Sequence, residues 1–262
     1  MTLPDADALA AVGLRLQVDD ALATITLDKP ERRNSMTPRM WAGLREIGDG
    51  LPDAVRVVVV KGAGSCFSAG LDRAMFTPEG PADEPGLADL TARDDAAMID
   101  EIGRYQDGFV WLARPEILTI AQVHGYAIGG GFQLALACDL RVVADDVQFC
   151  MKEPALGIVP DLAGTQPLVS AVGYAKALEI CATARFVTAT EAVAIGLASL
   201  AVRPDELDAA VADLVGAVLA NPADAVRATK ALLQQAEHRS LDEQRLAERT
   251  AQVPLLRSLT GQ

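Results

Sequence analysis

Residues 125–140, GYAIGGGFQLALACDL, decide how the chain is read. Three consecutive glycines stand at the start of an apolar segment of helical length. Each glycine inside a helix costs about 1 kcal/mol relative to alanine, so three together at a helix start need a reason. Two reasons are available. Glycine lets a helix pack tightly on a strand, and it lets a bare backbone N–H at a helix start approach a ligand. The one polar residue in the apolar run, Gln133, raises a second question.

Working outward, ILTIAQVHG (117–125) before this stretch and LRVVAD (140–145) after it read as buried strands. VRVVVVKG (55–62) is another, and it also runs into a glycine-bearing loop, GAGSCFSAGLD (62–72). Strand, glycine loop and helix thus occur twice, roughly sixty residues apart, which favours an α/β architecture. GLRLQVDDALATITLD (13–28) alternates about Asp19 and Asp20 as a hairpin. TPRMWAGLREIGDGL (37–51) is a helix with Thr37 as cap and Pro38 in the first turn. Residues 73–95 are rich in Pro, Asp and Gly and read as a mobile loop, with a helix resuming near Asp94 and running to Trp111. Beyond residue 221 the chain reads as helices: PADAVRATKALLQQAEH from Pro222, then a segment opened by a capping box of Ser240 and Glu243.

Composition narrows the function. The chain has 262 residues, half of them hydrophobic, which is ample for a large core. Its net charge of −13 repels nucleic acid and anionic membranes, so neither is expected as a partner. Cys66, Cys138, Cys150 and Cys181 lie among apolar neighbours without metal-ligand spacing. They read as free buried thiols of a cytoplasmic protein that holds no metal. The N-terminal segment does not resemble a signal peptide. No phosphate-binding G-x-x-x-x-G-K-[ST] occurs, and residues 62–70 lack the full dinucleotide spacing. CFSAG (66–70) has Cys66 where a nucleophile elbow needs glycine. Of the two histidines, His124 sits at a strand end and His238 on a remote helix, which gives little support to Ser–His or His–metal chemistry. What the glycines do offer is two N–H groups, one from each loop, that could converge on a single oxygen as an oxyanion hole.

CFSAGLD (66–72) followed by GYAIGGGFQLALACDLRVVADDVQF (125–149) resembles the crotonase superfamily, the enoyl-CoA hydratase/isomerase family. DKPERRNSM (28–36), LGIVPDLAGTQPL (156–168) and VTATEAVAIGLAS (187–199) resemble further segments of it in the same order, so the likeness covers about residues 12–235. The resemblance implies an α/β spiral of repeated ββα units over residues 1–200, holding the acyl-CoA site. It implies a helical region, 201–262, packed on the core or on a neighbouring subunit of a homotrimer or homohexamer. It implies an acyl-CoA thioester as substrate, with coenzyme A part of the substrate and no separate cofactor. The oxyanion hole falls on the N–H groups of Leu71 and Gly130, and CoA contacts fall on Arg32, Ala69, Gly70 and Asp72.

Hydratases of the family use two glutamates. The second matches Glu153, but Gln133 stands where the first would be. An amide cannot donate and regain a proton near neutral pH. Double-bond isomerisation with Glu153 as sole base is therefore expected over hydration, which Gln133 would weaken. Gln133 is expected either to orient substrate or water or to be a satisfied buried amide. Asp161 stands eight residues after Glu153, as in the family's dienoyl-CoA isomerases, and reads either as a group at the substrate or as a helix N-cap. A non-catalytic acyl-CoA binding protein is the reading from another class.

Overall fold

The computed structural model describes residues 3–81 and 84–259. A short helix α1 (Ala6–Ala11) leads into the hairpin β1 (Leu14–Asp19) and β2 (Leu22–Leu27), with Asp20 in the left-handed conformation at its turn. Helix α2 (Pro38–Gly50) follows, begun by Thr37 and Pro38, and then β3 (Val57–Gly62). Thr37 occupies the cap position, but its hydroxyl makes no capping bond. The segment expected to be an unbroken loop, 73–95, instead contains a 3-10 turn (Arg73–Phe76) and helix α3 (Leu87–Thr91); its residues 82 and 83 lie outside the described residues. Local capping explains the difference: Asp72 accepts from Ala74 N–H at 3.0 Å, and Asp89 accepts from Gly86 N–H at 2.8 Å. Helix α4 (Asp95–Val110) starts where its sequence predicts and is capped by Asp94.

The central repeat follows. Strand β4 (Leu118–Val123) leads to β5 (Tyr126–Ile128) and helix α5 (Gly130–Ala137), and β6 (Leu140–Ala144) leads to β7 (Gln148–Cys150). Then come α6 (Thr165–Val172), α7 (Tyr174–Thr183), β8 (Val187–Thr188), α8 (Ala189–Ala194) and β9 (Leu200–Val202). Each turn of the chain places one strand in a six-stranded sheet ordered β1-β2-β3-β4-β6-β9, which is parallel after the hairpin. The next strand joins a smaller sheet, β5-β7-β8. Helices α9 (Leu207–Leu219), α10 (Ala223–Gln235) and α11 (Leu241–Leu259) complete the fold. The Ser240–Glu243 capping box is present, with Ser240 N–H donating to Glu243 at 2.8 Å.

The run Val57–Val60 is apolar throughout because both faces of β3 are covered there, as in buried parallel sheets. Val58 and Val60 join Ala121, Val123 and Val143 in the main core. The alternate residues Val57 and Val59 join Ile120 and Val142 under Leu207, Val211 and Val215 of α9. The period of two thus divides one strand between two cores. Helix α10 is tied down by Lys230, whose ammonium donates to the Arg114 carbonyl, the Ile117 carbonyl and Asp139 Oδ2, each at 2.7 Å. Burial pulls the Lys230 pKa down, and the neighbouring Asp139 opposes that pull.

Lys230→Met should destabilise the protein by about 3 kcal/mol, because it leaves the Asp139 carboxylate and two carbonyls without their buried cation. A lowered urea midpoint at unchanged slope would register this.

Candidate active site

The two glycine loops meet because the chain pairs them. Ser68 N–H donates to the Tyr126 carbonyl at 2.9 Å, and Ile128 N–H donates to the Ser68 carbonyl at 3.0 Å, so the first loop runs beside β5. Asn34, fully buried and left-handed at φ 52°, secures the early segment to the same loop. Its side-chain amide donates to the carbonyls of Ala63, Cys66 and Phe67, while Ser68 Oγ donates to the Asn34 carbonyl at 2.7 Å. Asparagine tolerates this backbone better than most residues, but nothing in the periodicity of residues 28–36 announces the clasp.

The first loop then turns at Gly70, with φ +81°. Met36 N–H donates to the Gly70 carbonyl and Asp72 N–H to the Met36 carbonyl, both at 2.8 Å. This parallel bridge engages the residues flanking Leu71, so the N–H of Leu71 itself points away from Met36. The second loop turns at Gly129, whose φ of 52° and ψ of −119° suit only glycine. Gly130 is the first residue of α5, where an N–H has no partner within the helix. The loops are in close contact: a methyl group on Gly70 would run into the Ile128 carbonyl and lie 3.5 Å from Gly130 N. A methyl on Gly131 would lie 2.7 Å from Ser68 Cβ, so the third glycine serves packing between the loops.

Beneath this turn lies Glu153, buried at 6% exposure, in a single 3-10 turn after β7. A methyl on Gly129 would sit 3.1 Å from its Oε1, which fixes the carboxylate directly against the glycine turn. Gln133 Nε2 donates to that oxygen at 2.7 Å, whereas Oε2 is buried with no hydrogen-bond partner. Burial pushes the Glu153 pKa up, the Gln133 bond opposes the rise, and the charge of Asp161 adds to it. Burial likewise raises Asp161.

A cavity of about 1040 Å³ opens over these groups. Eight of the residues singled out from the sequence line it: Arg32, Ala69, Gly70, Leu71, Asp72, Gly130, Glu153 and Asp161. Gln133 does not. It is fully buried behind Glu153, and its Oε1 accepts from the N–H groups of Leu162 at 2.9 Å and Gly164 at 3.3 Å. Both ends of its amide are thus hydrogen-bonded within the protein. Asp161 is not a helix cap, because α6 begins at Thr165 with Gly164 in the cap position. Asp72 is engaged by Ala74 N–H, by the Ser35 hydroxyl at 2.8 Å and by Arg32 at 3.3 Å. Burial works against its charge, but these bonds outweigh it and hold the carboxyl below its usual range.

Three further cations on the cavity wall, Arg33, Arg73 and Lys152, escape the motif reading. They stand out only as positive charges gathered in one place on a chain of net charge −13. Away from them the wall turns apolar, with Trp41, Met75, Leu90, Tyr105 and Leu162. Elsewhere, His124 Nε2 lies 3.0 Å from the Gly64 carbonyl, a structural contact between the two loops, and His238 is exposed on its helix. The four cysteines are free thiols.

The sequence profile described as enoyl-CoA hydratase/isomerase matches residues 17–259. The chain belongs to that family. A Thermobifida fusca YX protein solved in complex with CoA is 51% identical, superposes with a TM-score of 0.95, and is covered over 99% of its length by 100% of this chain. Its acetoacetyl-CoA complex gives 52% identity over 98% of this chain and 100% of that one, at the same TM-score. The crotonyl-CoA hydratase of Syntrophomonas wolfei is 30% identical over 237 residues, 89% of this chain and 86% of that protein. The human mitochondrial Delta(3,5)-Delta(2,4)-dienoyl-CoA isomerase is 36% identical over 217 residues, 79% of this chain and 63% of that protein. The α/β spiral with its helical C-terminal region is thus the crotonase-type fold, and the chain is a crotonase-type enzyme.

Glu153, held above its unfolded pKa, binds more protons in the folded protein than in the unfolded chain. It therefore lowers stability as pH rises through the interval from the ordinary carboxylate range up to its folded value. Glu153→Gln should remove that contribution. Measured from about pH 4 to pH 8, the melting temperature of the variant should gain on wild type as pH rises.

Proposed function

We propose that the enzyme isomerises the double bond of an enoyl-CoA thioester, moving it from the 3- to the 2-position, with Glu153 as the base. The observation that supports this most is the pairing of one buried, partly unpartnered carboxylate with a glutamine in place of a second acid. In this reading the thioester oxygen sits between the N–H groups of Leu71 and Gly130. Glu153 removes a proton from the α-carbon, the two donors hold the developing enolate, and the same carboxyl returns the proton at the γ-carbon. Such donors contribute most when the charge develops in a dry site, roughly 2.7–4 kcal/mol for one of them. Burial favours the neutral carboxyl that must form midway, while the Gln133 bond keeps the charged form within reach. Arg32, Arg33, Arg73 and Lys152 supply the positive charge that the phosphates of CoA need on an otherwise acidic surface. The segment 69–72 lines the path toward the thioester, and the apolar wall takes the acyl chain.

A second reading rests on Asp161. Its carboxyl belongs to a residue of the same cavity wall and is close enough to raise Glu153. Two carboxyls could exchange protons at two ends of a dienoyl thioester, the substrate type named for the human relative. We also propose a homotrimer or homohexamer in the cytoplasm. In support, none of the described residues of α11 is buried, and Leu241 and Leu259 on it are 76% and 82% exposed.

With purified protein, 3-enoyl-CoA isomerisation should exceed 2-enoyl-CoA hydration. Glu153→Gln should lower the isomerisation rate by about 10²–10⁴-fold while CoA-thioester binding is mostly kept. Faster hydration, or a Glu153 variant that retains its rate, would overturn the reading. Asp161→Asn should leave 3-enoyl isomerisation within a few-fold of wild type under the first reading and abolish 3,5-dienoyl isomerisation under the second.

A further inference from the structure

We propose that Gln133 is a positioning residue that assigns the two oxygens of Glu153 different tasks, Oε1 as a fixed anchor and Oε2 as the oxygen that carries the proton. The inference rests on the reading of Glu153 as base. Its starting point is that the orientation of the Gln133 amide is settled by its surroundings. The carbonyl end faces two backbone donors, the N–H groups of Leu162 and Gly164. Turning the amide over would aim its own N–H groups at those two donors. The NH₂ end therefore faces Glu153, and Oε1 at 2.7 Å must accept. A proton on Oε1 would oppose that donor, so the protonated form of Glu153 carries its hydrogen on Oε2, the oxygen without a partner.

The amide cannot easily yield. Gln133 has no exposed surface, and a methyl on Gly164 would lie 2.6 Å from its Cγ. Gln133 also stands one turn into the helix that Gly130 begins, with its N–H donating to the Gly129 carbonyl at 2.9 Å. One rigid element thus carries both an oxyanion donor and the anchor of the base, so their separation is set by helix geometry. At its other end the amide holds the N–H of Leu162, next in the chain to Asp161. The remaining ionisable groups acting on or facing Glu153 are Asp161, Cys150 and Cys181, with Lys152 adjacent in the chain. Of the groups outside its own turn, the Gln133 side chain is the one that favours the Glu153 charge by a hydrogen bond.

The test compares Gln133→Met and Gln133→Glu with wild type in the isomerisation assay across pH. Methionine keeps the volume and removes the bond. It should lower kcat by roughly ten- to a hundredfold with KM little changed. It should also move the acidic limb of the kcat/KM profile to higher pH, because the bond that favours the charged base is gone. Glutamate keeps an acceptor for Leu162 and Gly164, which guards against a folding defect, and changes only the end facing Glu153. It can donate there only while protonated, so its profile should gain a second ionisation. If both variants keep the wild-type acidic limb while Glu153→Gln is inactive, the positioning role is wrong and the base assignment stands. If Glu153→Gln is active, the base assignment fails first.

Discussion

The backbone pairing of Ser68 with Ala127 is the constraint on which the site depends. Two hydrogen bonds, one to the Tyr126 carbonyl and one from Ile128 N–H, bring together loops that follow different strands of the large sheet. Those strands, β3 and β4, are themselves adjacent and parallel, so both chains leave the sheet at the same end. The second, smaller sheet pairs β5 with β7, the strands that follow the adjacent β4 and β6, so neighbours in the large sheet stay neighbours beyond it. A bare N–H on each loop then needs only a turn that glycine alone can make, at Gly70 on one side and Gly129 on the other. The proposed oxyanion hole is in this sense a property of the strand order, with the glycines clearing the space.

The electrostatics of the site follow from burial. A carboxylate taken out of water is destabilised unless donors replace the lost hydration. Asp72 has three such partners and stays charged; it serves to hold the early segment against the first loop. Glu153 has one side-chain partner and a bare oxygen, so its charge is held with effort. The two acids sit on one cavity wall with opposite shifts: burial dominates at Glu153, where the charge of Asp161 adds to it, whereas at Asp72 the bonds from Ala74, Ser35 and Arg32 together with the Arg32 charge outweigh it. An acid that is fully satisfied makes a good brace and a poor base. An acid left half satisfied is suited to taking and returning a proton.

Much of this was legible in the residues. The valine run of β3, the strands around residues 117–125 and 140–145, and the two glycine loops needed only period and turn chemistry. Strands β5 and β7 did not show, because three residues are too few for any period to register. Their pairing comes from the larger sheet that feeds them. The short helices within 73–95 were hidden for the same reason, their caps being Asp72 and Asp89 in a segment dominated by turn formers. Asp161 followed a proline before a helical stretch and invited a capping role. Gly164 holds that place because Gln133 draws the Leu162 and Gly164 amides inward before the helix begins. A long-range bond of this kind leaves no local mark.

Gln133 also bears on the proposed use of a single glutamate. A second carboxylate at that position would face Glu153 Oε1 at hydrogen-bonding distance in a place with no exposure. Two charges there would repel strongly at low dielectric, so such a pair has to share a proton or admit a water between them. The amide removes the conflict: it donates where a second acid would compete, and its carbonyl meets two amides that a neutral acceptor satisfies. What is absent is a second titrating group at that position. What is gained is a carboxyl with Oε1 anchored beside the glycine turn and one oxygen, Oε2, left without a partner. Under the proposed isomerisation, a proton moved between two carbons of one substrate needs one carboxyl and no water, so an amide in place of a second acid is compatible with migration of a double bond.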